Sequence, residues 1–350
     1  MAVSMQVVAV IAFYMVAALV MVFVNKIVLN TAPNLPTFLC SFQSISTVLL
    51  LTLTSLFTSH VQIPTLDYST ARKLAPLMIV DAAGFLFNTL CLRDVEAAYY
   101  NIARGLVLPL TILVVSIHSF SRPSLSVVGC ASVVTFGFLL GTSFQEDVPA
   151  KAVPGPLALF YGFLSSLSIA VHAVLVKSSL PHVNGSATML SYWSNLGSAV
   201  LLGFTAVLSG EVGDFLGMMK DSEWDWATFA WGNLITGVFG FLISVAGILS
   251  VKITSPVTHM FSSASRSVLQ IVLGVKIFGD IITRQRIASA FTIMFGTLLY
   301  TYVKSQEPKP QPVEAAVPLI SKDLESQQSH TSNSEAPVDS YYARSSQEKS

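Results

Sequence analysis

Charged residues are scarce in this sequence: only 11% of its 350 residues are Asp, Glu, Lys or Arg, whereas 53% are hydrophobic. Soluble domains carry about 25% charged residues because their surfaces face water. A chain with so few charges cannot cover itself with solvated groups, so we expect lipid to cover much of its surface. The 19 basic and 19 acidic residues balance each other, which excludes the basic excess that is typical of nucleic-acid-binding proteins.

Motifs for catalysis and metal binding are also missing. The three cysteines, Cys40, Cys91 and Cys130, lie in apolar segments without a metal-ligand spacing, and we interpret them as buried apolar side chains. The sequence contains no GxxxxGK[ST] phosphate-binding loop, no HExxH and no GxSxG, the patterns that would indicate ATP hydrolysis, a metalloprotease or a serine hydrolase. We therefore expect neither an enzyme nor a bound metal or cofactor.

Long apolar segments, by contrast, recur along the whole chain at a length of about 20 residues, which is what a helix needs to span a bilayer. Open sheets are excluded as an alternative because their backbone groups cannot all be paired in lipid. The sequence thus predicts an all-α membrane protein with ten transmembrane helices, at 7–29, 38–58, 74–92, 97–119, 125–144, 155–179, 188–210, 227–250, 257–278 and 283–303.

The predicted spans fall into two groups of five. A joint rich in Pro and Gly at 149–156 separates a first half, 1–148, from a second half, 149–304. An odd number of helices in each half predicts inverted repeats, an arrangement in which transporters hold substrate near the bilayer midplane. Residues 305–350 are rich in Ser, Gln, Glu, Pro and Lys, so we predict a disordered cytosolic tail there.

The ninth predicted span carries a polar stripe. Ionisable side chains inside a span are costly and commonly face a pathway or a partner. Spacings of three and four residues place five side chains on one helical face, namely His259, Ser262, Ser263, Arg266 and Gln270. We predict that this stripe lines an aqueous cavity, where the guanidinium of Arg266 binds phosphate oxygens. The alternative is an interhelical network in which Arg266 binds Asp81 or backbone carbonyls.

The fourth predicted span repeats this pattern on a smaller scale. Tyr100, Asn101 and Arg104 lie three and four residues apart, so they share a face. Arg104 would complement a second phosphate charge, and the alternative is a structural ion pair with Glu96 or Asp94. Pro109 follows about one turn later, where we expect it to break or kink the helix.

Polar side chains in other spans are further candidates. Tyr192 and Asn195 share a face of the seventh span, where a ring can stack on a base and an amide can bind a base edge or a sugar hydroxyl. Lys26 ends the first span and either extends to the lipid headgroups or neutralises phosphate. Asp81, in the third span, is a candidate countercharge or proton site, and we interpret His172 as a hydrogen-bonded core residue.

Four stretches resemble the nucleotide-sugar and triose-phosphate transporters of the drug/metabolite superfamily, and the GDP-fucose transporters most of all. They are Met21–Lys26, Phe87–Leu92, Ala98–Arg104 and Ile253–His259, and the resemblance covers about residues 10–303. It implies ten spans in two inverted halves, a Golgi or ER membrane, and exchange of a cytosolic GDP-sugar for luminal GMP.

Two motifs depart from the GDP-sugar carriers. Tyr192-Trp-Ser-Asn195 stands where those carriers have an aromatic-Tyr-Asn-Asn motif, and Ser262-Ser-Ala-Ser-Arg266 ends in arginine where they have lysine. Arg and Lys bind anions differently, so the base and the sugar stay open.

The main hypothesis is an antiporter that works by alternating access in a lipid bilayer. Its partners would be a nucleotide-sugar and a nucleoside monophosphate, and a homodimer is an oligomeric state that the sequence leaves open. Arg266, Arg104 and Lys26 would neutralise the pyrophosphate, while Tyr192, Asn195 and His259 would contact the base or the sugar. Exchange of a sugar phosphate, a triose phosphate or another nucleotide-sugar is the first alternative, and a membrane scaffold without transport activity is the second.

Overall fold

The computed structural model describes residues 5–58, 61–143, 153–253 and 256–306. These residues form α-helices and a short 3-10 turn, Leu180–Val183, and contain no strand. The helices are α1 (Met5–Thr31), α2 (Pro36–Phe57), α3 (Tyr68–Asp94), α4 (Tyr100–Ala103), α5 (Val107–His118), α6 (Leu125–Ser143), α7 (Pro156–Ser179), α8 (Ala187–Leu208), α9 (Glu211–Met218), α10 (Trp226–Ile253), α11 (Pro256–Phe278) and α12 (Arg284–Gln306).

Every predicted span coincides with helix, and the prediction of an all-α membrane protein is confirmed. By length and composition, eight of the described helical segments can cross a membrane. The number rises to nine if α8 and α9, which meet at a bend of 74°, count as one broken span. Helix α11 is 23 residues long but is not among these candidates, so ten membrane crossings stay a prediction.

Two predicted segments fall largely outside the described residues. The joint at 149–156 is described only from residue 153, and α7 begins at Pro156. The predicted tail at 305–350 is described only at its first two residues, Ser305 and Gln306, which are the last residues of α12.

The fourth predicted span is broken between α4 and α5. At the break the backbone forms tighter bonds, from the Gly105 N–H to the Ile102 carbonyl (2.8 Å) and from the Val107 N–H to the Arg104 carbonyl (3.2 Å). Pro109 was expected to cause the break, but it lies in the first turn of α5, where a missing N–H costs nothing. The interruption therefore begins at Arg104, and Ser166 of α7 donates a hydrogen bond to the Arg104 carbonyl (3.3 Å).

Helices of the two predicted halves pack closely against one another. The main contacts join α1 to α10, α2 to α8 and α10, α3 to α7 and α8, and α5 to α7. Small residues permit this approach: a Cβ added at Gly84 of α3 would lie 2.8 Å from the Ser168 Cβ of α7. A Cβ added at Gly162 of α7 would overlap the Ala103 carbonyl oxygen of α4. Helix α7 thus packs directly against the interruption between α4 and α5, where Arg104 lies.

Candidate functional site

Arg104 lies at the helix break, and not all of its N–H donors form hydrogen bonds. Its Nη1 donates to the Tyr100 hydroxyl at 2.8 Å, and its guanidinium carbon lies 5.0 Å from the centre of the Tyr100 ring. The Tyr100 hydroxyl in turn donates to Oδ1 of Asn88 on α3. Nε of Arg104 is buried and, among the described residues, has no hydrogen-bond partner.

The two acids proposed as structural partners of Arg104 are bound elsewhere. Glu96 pairs with Arg286, and Asp94 pairs with Arg93, whose Nε lies 2.6 Å from the carboxylate. No acid in the described part of the chain lies within ion-pair distance of Arg104. A partly buried cation without a countercharge is costly, so this site favours an anionic ligand.

Arg104 lines two cavities. The first has a volume of about 320 Å³ and lies between α3 and α7, with the polar residues Asp81, Asn88, Ser168 and His172 in its wall. The second has a volume of about 390 Å³ and lies between the α4–α5 break, α11 and α12, with Asn101, Thr111, Ser267, Thr297 and Tyr300 among mainly aliphatic residues. We call them the polar cavity and the aliphatic cavity.

The predicted group on the fourth span is brought together in part. Asn101 lines the aliphatic cavity, and its side-chain nitrogen is buried without a hydrogen-bond partner among the described residues. Tyr100 is itself buried and acts as a link, because it accepts from Arg104 and donates to Asn88. Asn101 and Arg104 therefore supply unused donors, whereas Tyr100 positions the guanidinium.

Arg266 lies on α11, partly buried, and its Nε has no hydrogen-bond partner among the described residues. The alternative pairing with Asp81 is not formed, since Asp81 binds other side chains. Gln270, from the same predicted stripe, is buried and donates to the Ala97 carbonyl at 2.9 Å. The side chains of the other three stripe residues, His259, Ser262 and Ser263, lie outside the described part of the chain.

The seventh-span residues occupy α8. Tyr192 and Trp193 are buried, and Trp193 packs in an apolar cluster with Leu74 and Leu77 of α3. The side-chain nitrogen of Asn195 donates within its own helix, to the Ser191 carbonyl at 2.8 Å. The described contacts bring neither Tyr192 nor Asn195 to the two cavities, and their role in substrate binding stays a prediction.

Asp81 lies at the centre of a polar cluster that the sequence indicated only in part. Its Oδ2 accepts hydrogen bonds from Ser194 (2.6 Å) and Ser198 (3.1 Å) of α8, and its Oδ1 lies 3.3 Å from Nε2 of His172 on α7. About a third of each of the Asp81 and His172 side chains stays exposed. His172 is therefore part of a cavity wall, not the core residue that we expected.

Lys26 binds backbone carbonyls in this conformation. Its ammonium group donates to the carbonyls of Leu92 (2.9 Å), Arg93 (3.0 Å) and Val95 (2.7 Å) at the C-terminal end of α3. Cations stabilise helix C-termini because the last carbonyls lack intrahelical partners. All three donors are occupied, so a contact between Lys26 and phosphate stays a prediction that would require another conformation.

A network of charges surrounds Lys26 at the end of the molecule where α1, α3 and α11 end and α12 begins, which we call the paired end. Arg286 pairs with Glu96, donates to the Ile281 carbonyl (2.7 Å) and lies over the Tyr99 ring. Asp280 accepts from the Ala98 N–H at 2.7 Å. Burial raises the pKa of the Asp280 carboxyl above its usual range, and the bond from Ala98 partly opposes this shift.

The sequence did not indicate that these charged residues pair with one another. Glu96 and Arg286 are 190 positions apart in the chain, and no helical spacing relates two residues on different elements. The available signal was the cost of placing ionisable groups next to apolar spans, which applies equally to residues that bind a substrate and residues that bind each other.

Similarity to known proteins extends over the helical part of the chain. The model of the Triose-phosphate Transporter family matches residues 5–301. A crystal structure of one protein is similar with a TM-score of 0.51 at 13% identity, over 84% of this chain and 99% of the other. At that identity the likeness concerns the fold alone.

Three relatives carry more specific names. The GDP-fucose transporter of Caenorhabditis elegans is 29% identical over 86% of this chain and 83% of its own. GDP-fucose transporter 1 of Mus musculus is 30% identical over 87% and 85%, respectively. The protein of Drosophila melanogaster named "GDP-fucose transporter, Golgi" is 28% identical over 85% and 90%. The matched family and these relatives are transporters rather than enzymes.

Proposed function

The chain belongs to the Triose-phosphate Transporter family, and from this premise we propose that it is a nucleotide-sugar antiporter. It carries a GDP-sugar, with GDP-fucose as the first candidate, into the lumen of the Golgi or ER in exchange for GMP. The names of the relatives suggest the substrate and the Golgi membrane, and the chain's own residues supply a candidate site for an anion.

The observation that carries this proposal is the position of Arg104. Its guanidinium has no acidic partner among the described residues and lines two cavities at once. A nucleotide-sugar has the same order of parts, with an anionic pyrophosphate between a sugar and a nucleoside. Guanidinium groups bind phosphate oxygens through two parallel hydrogen bonds, so the pyrophosphate would bind at Arg104.

Charge balance calls for a second cation. An uncompensated dianion in a cavity of low dielectric constant would be prohibitively costly. Arg266 is the best candidate, because its Nε is also buried and unpartnered among the described residues. His259, Ser262 and Ser263 belong to the same predicted stripe and would contact the phosphate or base. Exchange for a nucleoside monophosphate of similar charge needs no ion gradient.

The inverted-repeat architecture, with halves 1–148 and 149–304, is part of the proposal. It has a packing signature, since exchange of the two halves should turn the larger helix contacts into one another. The α3–α7 contact corresponds to α1–α10, the α2–α10 contact to α3–α8, and the α4/α5–α7 contact to α1–α11. These correspondences support ten spans, in which α4 and α5 form one broken span and α11 is its counterpart.

Alternating access would then open and close the paired end. In the observed conformation Lys26, Glu96, Asp280 and Arg286 hold the ends of α1, α3, α11 and α12 together. Substrate could leave on this side only after these contacts separate. Lys26 would at that stage be released from its three carbonyls and become available to the pyrophosphate.

The test is exchange in proteoliposomes. Purified protein is reconstituted into vesicles loaded with GMP, and uptake of labelled GDP-fucose is measured with and without the internal GMP. Arg104→Ala should reduce uptake by at least about 30-fold, because truncating one partner of a buried charge pair costs about 2–5 kcal/mol. Arg122→Ala is the matched control, since Arg122 is an exposed loop residue. Uptake by Arg104→Ala equal to that of the control would refute the proposal.

Sugar-phosphate or triose-phosphate exchange is a second candidate. The family that matches the chain carries triose phosphates in its name. In addition, Ser194 of the altered seventh-span motif donates to Asp81 instead of standing free for a base. Vesicles loaded with inorganic phosphate distinguish the two: exchange of triose phosphate for phosphate, with no response to GMP, would favour this candidate.

A further inference from the structure

We propose that Asp81 and His172, with the Asp81 carboxylate held in place by the buried Ser194 and Ser198, form a subsite for the hydroxyl groups of the transported sugar. We call these four residues the Asp81 cluster. The inference rests on the proposed nucleotide-sugar exchange and goes beyond it, because it assigns the sugar to the polar cavity and the nucleoside to the aliphatic cavity, on either side of Arg104.

The Asp81 cluster is organised around one carboxylate with acceptor capacity left over. Ser194 and Ser198 both donate to Oδ2, whereas His172 is the single neighbour of Oδ1, at 3.3 Å. A carboxylate offers about four lone-pair positions, so at least one remains for a ligand. Because about a third of Asp81 and of His172 is exposed, that position faces the polar cavity rather than the packed interior.

The charge of Asp81 decides which part of the substrate can lie beside it. A carboxylate repels phosphate groups, and this repulsion is stronger in a partly buried site than in water. The neutral sugar, with several hydroxyl donors, is the part that gains from an ionised acceptor. Hydrogen bonds to a charged group contribute about 1.5–3 kcal/mol each, so one carboxylate can orient a sugar ring.

The walls of the polar cavity fit this role. His172 can donate or accept, and Asn88 on the same wall already binds the Tyr100 hydroxyl that holds Arg104. A Cβ added at Gly84 would lie 2.8 Å from the Ser168 Cβ of the facing helix, so this glycine lets α3 and α7 approach closely beside the cavity. The sugar site and the phosphate site are therefore connected: Asp81 and Asn88 both lie on α3, and Asn88 is linked to Arg104 through the Tyr100 hydroxyl.

The opposite cavity fits a nucleoside better than a sugar. Ile271, Ile293 and Met294 provide apolar surface for the flat face of a base, and Asn101 supplies an unused amide donor for its edge. No acidic residue lies in the described wall of this cavity. A sugar placed there would meet neutral hydroxyl and amide groups and Arg104, but no charged acceptor for its hydroxyl donors.

Two transport assays on the same vesicles test the assignment. One measures self-exchange of labelled GMP for internal GMP, which needs no sugar, and the other measures uptake of labelled GDP-fucose over a range of concentrations. For Asp81→Asn we expect the KM for GDP-fucose to rise at least about tenfold, the equivalent of about 1.4 kcal/mol, while GMP self-exchange stays within about twofold of wild type.

Matched variants keep the result interpretable. Asp214→Asn removes an exposed acid of α9 and should change neither assay. Ser198→Ala removes one donor to Asp81 without removing the charge, so it should raise the KM for GDP-fucose by a smaller factor and again spare GMP. If Asp81→Asn does not fold, Ser198→Ala and His172→Gln provide the same comparison between the two assays.

The two assays also separate the possible failures. Equal losses of GMP and GDP-fucose exchange in the Asp81 cluster variants would overturn the sugar subsite and indicate a role in the fold. An unchanged KM for GDP-fucose in Asp81→Asn would overturn it as well. Absence of GMP self-exchange in wild-type vesicles would instead refute the proposed function, and this inference with it.

Discussion

Two sets of partly or fully buried cations differ in how their donors are used. At the paired end, Lys26 donates to three carbonyls, and Arg286 binds Glu96 and the Ile281 carbonyl. Near the cavities, Arg104 contacts only the neutral Tyr100, and neither Arg104 nor Arg266 has an acidic partner among the described residues. All four residues are charged and lie in or beside apolar helices, so their partners, and not the residue type, distinguish the two sets.

The comparison makes a thermodynamic distinction. A cation that is paired with an acid or with backbone carbonyls contributes to the folded state and costs stability when it is removed. A cation kept without a countercharge is itself costly, and that cost is recovered only when an anion binds. Variants of the first set should therefore mainly lower stability, and variants of the second set should mainly lower exchange.

Arg286→Met should have the largest effect on stability. Glu96 would be left without its partner, and breaking a buried ion pair costs about 3–5 kcal/mol. The measurement is the loss of the folded fraction on heating in detergent, compared with the double variant Arg286→Met/Glu96→Gln. The double variant should recover much of the loss, and a single variant as stable as wild type would remove the distinction between the two sets.

Arg266→Ala should have the largest effect on exchange. We expect GDP-fucose uptake to fall by about 100-fold, while the protein still inserts and unfolds at nearly the wild-type temperature. Lys276→Ala, which removes an exposed cation of the same helix, is the control. Full exchange by Arg266→Ala would show that this residue does not belong to the binding set.

Lys26→Met should lower the stability of the protein and leave GMP binding unchanged. Three carbonyls at the end of α3 would lose a charged donor, at a net cost of about 2 kcal/mol, which is read from the same unfolding assay. GMP should still stabilise the variant as it does the wild type, because Lys26 is bound to carbonyls in this conformation. Loss of GMP binding without loss of stability would move Lys26 into the second set.

Gly162→Ala should have a smaller effect on stability than Arg286→Met or Lys26→Met, and a clear effect on exchange. The added methyl group would overlap the Ala103 carbonyl, and overpacking costs about 1–3 kcal/mol. Replacing glycine within a helix returns up to about 1 kcal/mol, so the net loss should be about 1 kcal/mol. Because Ala103 precedes Arg104, the shift should also move the guanidinium, and GDP-fucose uptake should fall by more than the small loss of folded protein explains. The control is Gly129→Ala, where the added methyl would meet nothing within 4 Å.

The helices could be predicted from the sequence, whereas the partners of their polar residues could not. Hydropathy located the helices, including α11, although α11 is not among the candidates for a membrane crossing. The break before α5 was expected at Pro109, but it lies earlier in the chain, where Gly105 and the facing Gly162 allow close packing. Asp81 and Ser194 are 113 positions apart, and periodicity holds only within one helix.

The most direct test compares GMP with guanosine, which lacks the phosphate. Ligands that bind the folded state raise its apparent stability, so the unfolding temperature of the purified protein is measured with each compound, for the wild type and for Arg104→Ala. We predict that GMP stabilises the wild type more than guanosine does, and that this difference disappears in Arg104→Ala. An equal difference in both proteins would contradict the claim that the unpaired arginine binds the phosphate.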